Sequence, residues 1–128
     1  MKQYAISVIL VAIFLLAGCG NNAGGSAIVN DGKTLAMDTG NFTGSTALTV
    51  PVGTTVKLID AQDGAAHLLT TGEDGVFQVE AGAPKELSSA SGITITPGQT
   101  VNITFTTAGK YKITCIIHPS MNATVTVK

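Results

Sequence analysis

Apolar and polar residues alternate with a period of two along most of the chain after residue 33. Tyr111, Ile113 and Cys115 fall on one side, and Lys110, Lys112 and Thr114 on the other. Val125 and Val127 alternate with Thr124, Thr126 and Lys128, and Val101, Ile103 and Phe105 with Asn102, Thr104 and Thr106. Thr55 to Asp60 places Val56, Leu58 and Asp60 together. This is the pattern of half-buried strands. Shorter runs at Thr34–Met37, Phe42–Val50, His67–Thr70, Val76–Val79 and Ile93–Ile95 add to the set. Pro51-Val52-Gly53-Thr54, Asp63-Gly64, Pro97-Gly98 and Ala108-Gly109 supply turns between them. Ala81 to Ser91 is small and polar, a loop or one short helical turn. No stretch sustains a helical period. Residues 34–128 are therefore expected to form one all-β domain, a sandwich or barrel of about seven or eight short strands.

The first residues do not share this pattern. Lys2 precedes an almost unbroken apolar run from Ile6 to Leu16. The run is too short and wrongly flanked for a membrane-spanning helix and reads as a targeting segment. It ends in Leu16-Ala17-Gly18-Cys19, which resembles a bacterial lipobox, with small residues before the cut and a thiol to accept the lipid. Residues 1–18 are then a lipoprotein signal peptide. Cys19 is the lipidated residue, and 19–33, rich in Gly, Asn and Ser, is a flexible tether to a bacterial membrane. The chain is placed outside the cytoplasm.

Composition narrows the function. The chain has 2 Cys in all. A lipidated Cys19 cannot pair, so Cys115 is a free thiol in an oxidising compartment, where a metal is its natural occupant. The chain has seven Lys, no Arg and eight acids, for a net charge of −1. Without a basic cluster, nucleic acid is excluded as a partner. There is no phosphate loop or nucleophile elbow. The Asn-x-Thr triplets at Asn41, Asn102 and Asn122 are chance in a bacterial lipoprotein.

Cys115, His118 and Met121 are spaced C-x2-H-x2-M on the loop between the last two predicted strands. Each alone has a plain explanation: a buried small residue, a solvated loop imidazole, a packing thioether. Together they collect a thiolate, an imidazole and a soft thioether. Two histidines and a cysteine in a trigonal set, with a long axial Met, make an electron-transfer copper site. The second histidine must come from elsewhere, and the chain holds only one other, His67, where a small-residue loop re-enters a strand.

The stretch Gly109 to Lys128 resembles the cupredoxins, the blue copper proteins. Its C-x2-H-x2-M loop with Pro119 after the histidine is most similar to the amicyanin type. The lead-in Gly109, Tyr111 and Cys115 and the phrase Val50-Pro51-Val52-Gly53 are also similar to the family. The resemblance is strong over the last twenty or so residues and weak before them. It implies a Greek-key β-sandwich with one type 1 copper held by His67, Cys115, His118 and axial Met121. It implies single-electron transfer between redox protein partners rather than enzymatic turnover. Cupredoxins often carry Asn directly after the first histidine, tying the two ligand loops together. This chain has Leu68 there, and Ala66 where amicyanin-like sequences have Pro.

The function expected is that of a monomeric, membrane-tethered blue copper protein. Ala65, Ala66, Ile117 and Pro119 would form an apolar rim around the edge of His118, suited to small, transient interfaces. Two other classes compete. One is a lipoprotein that stores or delivers Cu(I), without a stable coloured Cu(II) form. The other is a metal-free, Ig-like structural or adhesion lipoprotein.

Overall fold

A computed structural model describes residues 31–128. The expected signal peptide, the expected lipidation site Cys19 and the expected tether up to residue 30 lie outside the described residues. Among those described there is no helix, and hence none long and apolar enough to cross a membrane.

Among the described residues nine strands form two sheets. They are β1 (Thr34–Met37), β2 (Ala47–Val50), β3 (Thr54–Asp60), β4 (His67–Glu73), β5 (Val76–Phe77), β6 (Ile93–Ile95), β7 (Thr100–Phe105), β8 (Gly109–Cys115) and β9 (Asn122–Val127). One sheet has the order β1-β3-β7. The other runs β2-β9-β8-β4-β5, with β6 paired to the start of β4. β1 lies parallel to β3 and β2 parallel to β9; the remaining pairs are antiparallel. The architecture is the all-β sandwich expected, with one more strand than the upper count. The run Phe42–Val50 is strand only from Ala47. Phe42 instead makes an isolated bridge to Met37, and Thr43 donates to the Ala36 carbonyl, so this segment covers the outer edge of β1.

Alternation puts one face of each sheet into a shared core. Val56 and Leu58 from one sheet and Ile113, Val125 and Val127 from the other are all at most 2 % exposed. Asp60, next in the same alternation, is buried with them. Phe105 and Tyr111 meet with ring centroids 5.6 Å apart. The Tyr111 hydroxyl donates to the Thr107 carbonyl at 2.7 Å. That bond pins the β7–β8 corner as tyrosine corners do.

The segment Ala81 to Ser91 contains turns and no helix; Leu87 N–H donates to the Pro84 carbonyl and Ser88 N–H to the Lys85 carbonyl. Its Leu87 plugs into the core. The buried hydroxyls of Thr70 and Thr71 both donate to the Leu87 carbonyl. β4 and β5 are joined by only Asp74-Gly75, with φ of 52° and 75°. Two successive positive φ values make the tight turn whose twist matches a hairpin.

Candidate metal centre

The four side chains expected at the site come from two places in the fold. His67 opens β4, where pairing with Ile95 of β6 holds its backbone. Cys115 closes β8 and pairs with Leu69. His118 and Met121 lie on the loop to β9. That loop is tight: the Cys115 N–H donates to the Met121 carbonyl at 3.1 Å and the Met121 N–H to the His118 carbonyl at 2.9 Å.

His67, Cys115 and His118 converge with their ligand atoms within 4.8 Å of one another. The Cys115 Sγ is 3.8 Å from Nδ1 of His67 and 3.7 Å from Nδ1 of His118. Nitrogen and sulfur ligands about 2.0 and 2.3 Å from one ion, at a trigonal angle, would stand about 3.7 Å apart. The spacing therefore fits three donors around a single ion. The imidazole rings sit 5.0 Å apart, tilted by 57°. Cys115 and His67 are fully buried and Met121 is 2 % exposed. His118 is half-buried, beside Ile117 at 53 % exposure.

The outer contacts set how these donors face. His67 donates Nε2–H to the main-chain carbonyl of Asp38 at 2.6 Å. That bond leaves Nδ1 as the lone-pair nitrogen, aimed at Cys115. The loop carrying Asp38 also lies against His118: a Cβ on Gly40 would sit 3.5 Å from the ring's Cδ2. Asp60 Oδ1 lies 3.7 Å from His67 Nε2, too far for a hydrogen bond. Neither carboxylate oxygen of Asp60 has any hydrogen-bond partner. Burial pushes the Asp60 carboxyl above the usual carboxylate range, and charge on His67 acts in the opposite direction.

Leu68 has no side chain able to tie the two ligand loops, and what joins them is main chain and a neighbouring turn. The Leu68 main-chain carbonyl accepts from Ile116 N–H at 2.9 Å. The Asp74-Gly75 turn then grips the ligand loop from the side. Asp74 N–H donates to Asn122 Oδ1 at 2.9 Å, and Asn122 Nδ2 donates to Asp74 Oδ1 at 3.1 Å and to the Pro119 carbonyl at 3.3 Å. Gly75 N–H donates to Thr114 Oγ1 at 2.9 Å, and that hydroxyl donates to the Met121 carbonyl at 3.3 Å. Of the four expected donors the structure brings His67, Cys115 and His118 together and puts Met121 on the same loop, buried; sequence reasoning missed Asp38, Asp74, Gly75 and Asn122. The Asp-Gly pair was a readable hairpin signal; a main-chain carbonyl such as that of Asp38 leaves no side-chain signature.

Fold and site together define a mononuclear copper protein of the β-sandwich class, with a donor set that fits one type 1 copper. A family model described as copper binding proteins, plastocyanin/azurin family, matches residues 30–128, and the chain belongs to that family. Among solved structures, it is similar to the reduced form of a tryptophan-to-tyrosine mutant of amicyanin. The identity is 26 % and the TM-score 0.55, covering 78 % of this chain and 86 % of that one. The Cu(I) form of a methionine-to-alanine mutant of amicyanin is 27 % identical at TM-score 0.55, with the same coverage of 78 % and 86 %. Amicyanin from Paracoccus versutus (Thiobacillus versutus), at 21 % identity and TM-score 0.57 over 80 % of this chain and 86 % of that one, shares the fold. Comparison with curated proteins gave no match.

Proposed function

We propose that this chain is a one-copper electron carrier, held by His67, Cys115, His118 and Met121 and tethered to a membrane through Cys19. The observation that carries the reading is the convergence of two imidazole Nδ1 atoms on one buried thiol sulfur. Bound copper would supply the one-electron Cu(II)/Cu(I) couple. The protein's part is to keep the donors in one arrangement for both states. Asp38 holds the His67 tautomer, and the short loop bonds between Cys115, His118 and Met121 hold the rest. Burial of Cys115 keeps water and oxidants from the thiolate. The half-buried His118, between exposed Ile117 and Pro119, offers the edge at which a redox partner would dock.

The purified chain loaded with Cu(II) is expected to show an intense visible thiolate-to-copper absorption that vanishes on reduction. Cys115→Ser should abolish it. A colourless protein that binds Cu(I) stoichiometrically would put the storage and delivery reading ahead, and one that purifies without affinity for copper would sink both.

The tether rests on Leu16-Ala17-Gly18-Cys19 after an apolar run. Mass spectrometry of the processed chain should find a lipid-modified Cys19 at the N-terminus. Cys19→Ala should block processing there. An unmodified N-terminus at another residue would end this part of the proposal.

A further inference from the structure

We propose that Asp60 is a positioning residue of the copper centre, whose buried carboxylate sets the field behind His67 and biases the site towards its oxidised state. This deepens the copper reading above and rests on it. The Asp60 side chain is fully buried, with Oδ1 3.7 Å from His67 Nε2. It is not there to hydrogen-bond the ring, because the Nε2 proton is already committed to the Asp38 carbonyl at 2.6 Å. It is not there to satisfy any other group, because both its oxygens lack a hydrogen-bond partner. His67 is its one ion-pair neighbour among the described residues.

A carboxylate in such a place opposes folding unless something compensates it; a cation held by His67 is that compensation, and the chain is shaped to admit the group. Asp60 closes β3, and its N–H donates to the Gln99 carbonyl at 3.0 Å, which fixes its backbone. The next turn carries Gly64, where a Cβ would clash with Oδ1 of Asp60. Any side chain at Gly64 would displace the carboxylate.

The consequence is electrostatic. Reduction of the site removes one positive charge. A negative group behind a ligand ring, in a dry interior where charges are weakly screened, favours the state with the greater positive charge. Asp60 therefore lowers the potential and strengthens Cu(II) relative to Cu(I).

The test compares Asp60→Asn with Asp63→Asn, which makes the same change in net charge at an exposed position three residues away. Asp60→Asn should keep the visible band while raising the equilibrium constant for reduction about tenfold, or roughly 59 mV for one electron. Competition titrations should show Cu(II) affinity falling relative to Cu(I) by the same factor. Metal-free Asp60→Asn should be no less stable in urea than the parent, since the group it replaces is a buried carboxyl with no hydrogen-bond partner. Asp63→Asn should leave all three measurements unchanged. If Asp60→Asn does not fold, Asp60→Leu removes the same charge with an apolar group of similar size and should raise the potential alike. Potentials for the Asp60 variants equal to that of Asp63→Asn would overturn the proposal. Failure of the parent chain to bind copper would instead overturn the reading on which it rests.

Discussion

Gly75→Ala tests how the ligand loop is held. Gly75 has φ of 75°, and a Cβ there would lie 2.8 Å from Pro119 Cβ and 2.9 Å from its Cγ. Two effects follow. An L-residue in the left-handed region costs about 1–2 kcal/mol. In addition, the proline ring cannot rotate away from the new methyl, so the loop must move, and Pro119 is bonded directly to His118. Gly53→Ala separates the two effects. Its φ is 86°, but nothing lies within 4 Å of its Cβ position. At about 4–8 °C per kcal/mol for a domain of this size, Gly53→Ala should lower Tm by roughly 5–15 °C. It should leave the copper spectrum and potential as they were. Gly75→Ala should lower Tm further and should also change the visible spectrum, because His118 shifts against Cys115 Sγ, 3.7 Å from its Nδ1. Thermal unfolding of the metal-free proteins and spectra of the copper-loaded ones decide it. A Gly75→Ala spectrum and potential identical to those of Gly53→Ala would show that the hairpin turn does not position His118.

Three further outcomes are expected. Tyr111→Phe removes the hydrogen bond to the Thr107 carbonyl, made at 2.7 Å, and should destabilise the fold by about 1 kcal/mol, with the copper spectrum unchanged in the same sample. Met121→Gln should keep the colour but move the potential in voltammetry, since the axial donor tunes such sites; loss of colour would mean that Met121 anchors the loop rather than the metal. Burial raises the Glu80 carboxyl above its ordinary range, opposed by the hydrogen bond from Lys112 N–H. The folded protein thus holds that proton more tightly than the unfolded chain, and stability contributed here falls as pH rises from the ordinary glutamate value through the raised one. Urea midpoints across that window should decline less steeply in Glu80→Gln, and an unchanged slope would count against the burial argument.

The strands were readable because a two-residue period states which face is buried. β1 was marked with the same ends, and β3, β7 and β8 within one residue at their starts. The failures have physical causes. Phe42 to Val50 has strand composition, but its first half crosses the edge of β1 and only Ala47–Val50 finds a ladder partner in β9. Val76 to Val79 also has strand composition. The ladder ends at Phe77, and Val79 is 83 % exposed. The convergence of His67, Cys115 and His118 was legible because thiol and imidazole are scarce in this chain: Cys115 and His118 are local to each other, and His67 was the one histidine left. The surroundings were not. The Asp38 carbonyl belongs to the backbone, and Asn122 acts only because the topology brings the β4–β5 turn beside β9. Asp60 lies between these cases: alternation placed it on the core face of β3, but only the fold shows His67 behind it.

These surroundings divide the control of the site between its two histidines. His67 enters from a strand that is paired on both sides, to β6 and β8, so its backbone has little freedom. What remains adjustable there is charge and proton placement, and the groups facing its Nε2 are the Asp38 carbonyl and the Asp60 carboxylate. His118 enters from a loop with no strand neighbour of its own, so its adjustable quantity is position. The contacts around it are mechanical: Gly75 against Pro119, Asn122 against Asp74 and the Pro119 carbonyl, Thr114 against the Met121 carbonyl. Changes at Asp60 should therefore alter the driving force for electron transfer with the coordination geometry intact. Changes at Asp74, Gly75 or Asn122 should loosen the geometry and so increase the rearrangement that accompanies each transfer. A self-exchange rate measured beside the potential separates the two, because the first kind of variant moves chiefly the potential and the second chiefly the rate.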